Sequence, residues 1–133
     1  METIKHIDEK IMLVRTHTET INFRGSLFNA SRKWWWASGN KPTRADYVMV
    51  DVDGVVQEVY KPSNWHKEID TGKDLLKFKT ERWVFAEKDD GDDGEYCKSF
   101  LAPDSIRKKY IGKLLEEPYR KGSNPQNPVR YSF

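Results

Sequence analysis

The chain has 133 residues, 37% hydrophobic and 33% charged, a size that supports one real core and not two, so 1–133 is expected to be a single domain. It contains no apolar run near the ~18 residues needed to cross a bilayer, and it opens on the charged METIKHIDEK, without the apolar region of a signal peptide. With a single cysteine, Cys97, it has no internal disulfide, and the expectation is a soluble, cytoplasmic protein with no membrane partner.

The net charge of +2 hides an uneven distribution. Residues 15–44 carry six Arg/Lys against one acid and residues 105–133 carry seven against two, whereas residues 45–104 carry eight against fifteen. If the two basic segments meet in the fold they form a positive face, the footprint of an anion or nucleic-acid binder. The competing reading is that such runs are simply solvated surface.

Along the chain, Ile11 to Thr16 (IMLVRT) predicts a first strand. After the polar THTETIN stretch, Gly25-Ser26 opens a predicted helix that ends at Gly39, with Ser26 as N-cap and Gly39 at the C-terminal turn. That helix carries three consecutive tryptophans, Trp34, Trp35 and Trp36. Successive helical side chains lie about 100° apart, so with Leu27 and Ala30 on the buried side, Trp34 is core, Trp35 sits on the flank and Trp36 points outward. Arg32, one turn before Trp36, is placed to cover that indole.

The clearest local signal follows: YVMVDV, then Asp53-Gly54, then VVQEVY. Asp-Gly between two branched runs predicts a two-residue hairpin turn. A regular hairpin sets Val52 opposite Val55, Val50 opposite Gln57 and Val48 opposite Val59 on a core face, with Tyr47 opposite Tyr60 and Met49 opposite Glu58 on the other. Lys61 to Asn64 ends the second strand, and Trp65-His66 is read as a loop. RWVFAE (82–87) and EYCKSFL (95–101) read as another hairpin around the acidic loop Asp89–Gly94, with Cys97 a small buried side chain in its second strand. A second helix begins at Pro103-Asp104-Ser105 and is bounded by Pro118. The turn-rich stretch 122–128 leads to a terminal strand from Val129 to Phe133. Short connections disfavour parallel crossovers, so the expected fold is α+β: a curved, mostly antiparallel sheet or partly closed barrel flanked by two helices.

No catalytic or metal signature accompanies these elements. His6, His17 and His66 lack neighbours at zinc-ligand spacing, and the acidic loop lacks the spacing and flanking helices of an EF-hand, so no metal or cofactor is expected. Asp51, Glu58 and Lys61 do not form a nuclease cluster in the expected hairpin register, and Tyr110-Ile-Gly112 lacks the Gly-Ile-Tyr half of the nuclease motif it would belong to. The aromatic residues stand out instead. Trp35, Trp36, Trp65 and Tyr60, with Arg24, Arg32, Lys33 and Arg44, are the candidate ligand-binding residues, since an exposed indole stacks a base and Arg or Lys contacts phosphate.

The element order, IMLVRT, then SLFNASRKWWWAS, then ADYVMVDVDGVVQEVY and KPSNWH, resembles the PUA-like superfamily, which includes EVE, YTH and ASCH domains. The later RWVFA, YIGK and NPVRY stretches resemble segments of bacterial and phage proteins. The resemblance implies a curved sheet with a pocket that accepts a nucleobase, including a modified one, between aromatic walls, with Trp65 and one of Trp35 or Trp36 as walls. The expected function is therefore non-enzymatic recognition of a nucleic acid or nucleotide. The alternatives are a protein-interaction module with Trp35 and Trp36 as its hot spot and, more remotely, a small nuclease or hydrolase using His66. The oligomeric state and the choice between DNA, RNA and free nucleotide stay open.

Overall fold

The computed structural model describes residues 1–37, 39–69, 81–120 and 129–133; the turn-rich stretch read at 122–128 lies outside them. In chain order the elements are β1 (Thr3–Ile4), β2 (Ile11–Arg15), α1 (Thr18–Arg24), α2 (Leu27–Arg32), a 3₁₀ turn (Lys41–Arg44), β3 (Tyr47–Val52), β4 (Val55–Tyr60), β5 (His66–Glu68), β6 (Arg82–Val84), α3 (Glu95–Lys98), α4 (Asp104–Tyr110), β7 (Leu114–Leu115) and β8 (Val129–Tyr131).

Residues Ile11 to Val14 are apolar without alternation and all four are fully buried, because β2 lies inside a sheet covered on both faces. The sheet order is β1-β7-β4-β3-β2-β8, a curled, mixed half-barrel in an α+β fold. One face packs Met12, Val14, Val48, Val50 and Tyr60 against Phe28, Phe85 and Phe100. The other packs Leu13, Met49 and Val59 against Tyr110 and Leu115. No helix among the described residues is long and apolar enough to cross a membrane.

Several sequence expectations are corrected here. β2 and β3 pair in parallel, joined through α1 and α2, so the sheet contains the crossover that the short connections argued against. There are four helices among the described residues, not two. Gly25 does not open the tryptophan helix; at φ 93° it ends α1, and Ser26 starts α2 with its side chain accepting from the Asn29 N–H.

The predicted helix from Ser26 to Gly39 stops at Arg32, because Lys33 is extended (φ −158°, ψ 157°) and the tryptophan run leaves as extended chain. Its main chain is satisfied across a β-bridge: the Trp35 N–H donates to the Trp83 carbonyl at 3.0 Å and the Trp83 N–H to the Trp35 carbonyl at 2.7 Å. In extended chain successive side chains face opposite ways. Hence Trp35 is buried, and Trp34 and Trp36 flank it on the outer side, half-buried and exposed respectively.

The Asp53-Gly54 hairpin forms as expected, with φ of 53° and 88° at the two turn residues. Its register holds at the turn, where Val52 pairs with Val55, and is lost beyond it. A bulge between Val50 and Asp51 leaves Gln57 unopposed and pairs Val50 with Glu58, Met49 with Val59 and Val48 with Tyr60. That one-residue slip carries Tyr60 away from the Tyr47 side and into the core beside Val48.

The second predicted hairpin is also replaced. β6 pairs antiparallel with β5, so His66 belongs to a strand, and the segment around Cys97 is the short helix α3. α4 ends at Tyr110, with Gly112 at φ 84° two residues on, well before Pro118. The acidic loop is wired into the fold rather than merely solvated. The Asp92 carboxylate accepts from the Leu27 and Phe28 N–H groups at the start of α2, and Asp90 accepts from the Cys97 N–H in α3.

Candidate functional site

The aromatic residues form a continuous row. The Trp65 ring stands edge-on to Phe85 (5.3 Å between centroids) and to Trp83 (6.2 Å), and Trp83 is bridged to Trp35. Trp35 is buried, and its Nε1 donates to the Ser31 carbonyl at 2.8 Å. It is therefore a core residue, and the hot-spot reading that paired it with Trp36 retains only Trp36, which is 52% exposed. Tyr60 is equally unavailable: it is 1% exposed, and burial drives its hydroxyl well above the ordinary tyrosine value.

Trp65, in the loop between β4 and β5, keeps part of its surface and borders an open cleft of about 470 Å³ lined also by Asn64, His66 and Glu87. Two non-glycine residues have positive φ here: Asn64 at 58°, which lines the cleft, and Ala86 at 66°, which precedes the lining residue Glu87. Ala86 is fully buried, has no polar side chain to ease that conformation, and is tied by its N–H to the Ser63 carbonyl at 2.9 Å. The Asn64 amide reaches the Glu87 carboxylate at 3.4 Å, and the Tyr96 hydroxyl accepts the Glu87 N–H at 2.7 Å. The buried Trp65 Nε1 has no hydrogen-bond partner among the described residues. The cleft therefore combines an indole, an amide that both donates and accepts, and a carboxylate acceptor, groups that suit a flat heterocycle with a mixed polar edge. Trp36 is not among the residues lining it.

His66 is engaged at both ring nitrogens. Nδ1 donates to the Asn64 carbonyl at 2.7 Å, since a carbonyl can only accept, and Nε2 meets the Glu68 carboxylate at 2.6 Å. It braces the loop that presents Trp65. Asp51 and Glu58 do not converge either: Asp51 is held by Arg15 and Arg130, Glu58 by Arg107.

The basic candidates divide sharply. Arg32 is buried, donates to the Lys88 carbonyl at 3.1 Å and faces Asp89 at 3.7 Å, so it does not cover Trp36; burial lowers its pKa, with Asp89 opposing. Lys33 pairs with Asp89 at 3.0 Å. Arg24 donates to the Lys33 carbonyl, and both Arg24 and Lys33 lie over the Trp34 ring. Arg15 is bonded to Asp51 at 2.8 Å. Of the six basic residues in 15–44, that leaves Arg44 and Lys41 without a carboxylate within ion-pair distance among the described residues.

A second cavity, of about 380 Å³, lies over the other end of the aromatic core, lined by Tyr60, Cys97, Leu27 and Leu101 with Glu58 and Arg107 at its edge. Burial and the surrounding carboxylates push the Cys97 thiol up to about 11, which makes it a poor nucleophile. Among the described residues no group of three or more His, Cys, Asp or Glu is placed to hold a metal ion.

Sequence reasoning found Trp65 but missed Asn64 and Glu87. The Ser-Asn pair before Trp65 is a usable turn signal, since Asn tolerates positive φ. Nothing local marks Glu87, which reaches the cleft only because β6 pairs with β5. No family model, no curated protein and no solved structure matches the chain.

Proposed function

We propose that the protein is a non-enzymatic recognition domain for a nucleic acid or nucleotide, with a base held in the Trp65 cleft. The observation that carries this reading is a partly exposed indole bordering an open cleft with an amide and a carboxylate, with positive φ at the lining residue Asn64 and at the buried Ala86 that precedes Glu87. Strain retained at non-glycine residues beside a cleft is characteristic of ligand-holding loops. The curled half-barrel is in keeping with the PUA-like resemblance, which forms part of the same proposal. Recognition is favoured over hydrolysis because His66, Asp51 and Glu58 are each bound to other groups of the fold.

One base stacked on an indole is worth about 1–3 kcal/mol, so Trp65→Ala lowers affinity for a fluorescein-labelled single-stranded oligonucleotide by about 5- to 150-fold in anisotropy titrations. Unchanged affinity in a variant with wild-type circular dichroism refutes the cleft assignment. A second reading, docking of a protein partner, is favoured by Trp36 alone, whose exposed ring has the chemistry of an interface anchor. Light scattering that shows a stable dimer broken by Trp36→Ala supports it.

A further inference from the structure

The basic segments 15–44 and 105–133 do meet in the fold. β8 runs antiparallel to β2, Arg15 and Arg130 share the Asp51 carboxylate, and Arg15 also donates to the Arg120 carbonyl. Most of the charge brought together there is spent on internal pairing. At the margin of the same sheet, however, the 3₁₀ turn Lys41–Arg44 sets Lys41 over two rings of the C-terminal strand region, its Nζ 4.4 Å from the Tyr131 centroid and 5.3 Å from that of Phe133. The turn is anchored rather than loose. Pro42 is buried, and the Thr43 N–H and hydroxyl both donate to the Asn40 carbonyl, at 3.0 and 2.6 Å. Lys41 and the exposed Arg44 thus present two charges from one rigid turn, with no carboxylate at ion-pair distance among the described residues to neutralise them.

The patch and the tryptophan row share one face of the sheet, since Tyr131 and Trp65 both pack against the core that holds Trp35 and Trp83. Trp36, five residues before Lys41 in the chain, adds an exposed indole. Alternating flat rings and unneutralised cations suit a single strand with unpaired bases, because a duplex keeps its base faces stacked.

We propose that Lys41, seated on Tyr131 and Phe133, and the exposed Arg44 of the same turn form a phosphate-binding track along which the backbone of a single-stranded nucleic acid passes after its base leaves the Trp65 cleft. The inference rests on the recognition function proposed for that cleft and names the form of its ligand: a strand several nucleotides long rather than a mononucleotide.

The test is anisotropy of fluorescein-labelled dT12 against salt between 50 and 200 mM, for the wild type, Lys41→Gln/Arg44→Gln, Lys41→Arg/Arg44→Lys and Trp65→Ala. Each phosphate contact on a single strand contributes about 0.7 to the slope of log affinity against log salt, so losing two lowers the slope by about 1.4 and the affinity at 0.1 M roughly 25-fold. The charge-keeping pair Lys41→Arg/Arg44→Lys stays near wild type, while Trp65→Ala weakens binding at an unchanged slope. If the Gln pair keeps wild-type slope and affinity while Trp65→Ala weakens binding, the track is refuted and the cleft stands. If Trp65→Ala binds as tightly as the wild type, the cleft reading fails, whatever the Gln pair does. If a mononucleotide competes for the cleft as strongly as dT12 per molecule, the extended-strand inference is overturned.

Discussion

Trp35 and Trp36 are adjacent and chemically identical, yet the structure assigns them opposite energetic roles. Trp35 is 6% exposed, packs within the larger aromatic core and hydrogen-bonds the Ser31 carbonyl through Nε1; Trp36 is 52% exposed. Truncating a buried tryptophan to alanine costs about 3–5 kcal/mol from lost burial and the cavity left behind. The Ser31 carbonyl also loses its donor, at a further cost of about 1 kcal/mol, partly recovered if water enters the space. Together these place Trp35→Ala near 5 kcal/mol, and Trp36→Ala within about 1 kcal/mol of the wild type. In urea titrations followed by far-ultraviolet circular dichroism, with a slope of about 2 kcal/mol/M, the first variant's midpoint falls by about 2.5 M and the second's by less than about 0.5 M. Equal losses, or a larger loss for Trp36→Ala, contradict the burial of Trp35 and the extended conformation of the run.

The buried ion network and the alkaline limb give two further expectations. Asp51 is fully buried and accepts from Arg15 Nε at 2.8 Å, Arg130 Nη2 at 2.6 Å and the Gly54 N–H at 3.0 Å, so Asp51→Asn removes the buried carboxylate charge that two guanidiniums share and costs about 3–5 kcal/mol by urea denaturation. A loss under 1 kcal/mol contradicts the network's structural role. Burial raises Tyr131 from 10.0 to about 12 and, with nearby carboxylates, Cys97 from 9.0 to about 11. The folded state keeps these protons longer than the unfolded chain, so this contribution to stability is whole below pH 9 and is lost as pH rises from there through 12. Melting temperatures between pH 8.5 and 11.5 are expected to fall continuously, with Cys97 inert to iodoacetamide at pH 8 until the protein unfolds; a flat profile or rapid labelling contradicts the burial.

What the sequence disclosed was local. Asp-Gly between two valine-rich runs identifies the β3–β4 hairpin because the turn chemistry lies in two adjacent residues, and Ser26 identifies the start of α2 for the same reason. The continuous apolar run of β2 gives a strand but not its partners, and the parallel pairing with β3 depends on how α1 and α2 fold back. The tryptophan run misled because helical periodicity was extended past Arg32. The competing interaction, a bridge to Trp83 some fifty residues away, leaves no mark within the run itself. Of the proposed binding residues, Trp65, Trp36 and Arg44 hold positions open to a ligand, whereas Trp35, Tyr60 and Arg32 are structural. Tyr60 was misassigned by a single bulge, and Arg32 by assuming that a guanidinium points to water when Asp89 and the Lys88 carbonyl draw it inward.

The five tryptophans offer a direct readout, since each indole N–H gives its own cross-peak in a proton–nitrogen spectrum. Titration with a single-stranded oligonucleotide is expected to shift the Trp65 and Trp36 indole peaks progressively while Trp35, held to Ser31, stays in place. Motionless Trp65 and Trp36 signals at saturating oligonucleotide, or a displaced Trp35 signal, contradict recognition through these exposed rings.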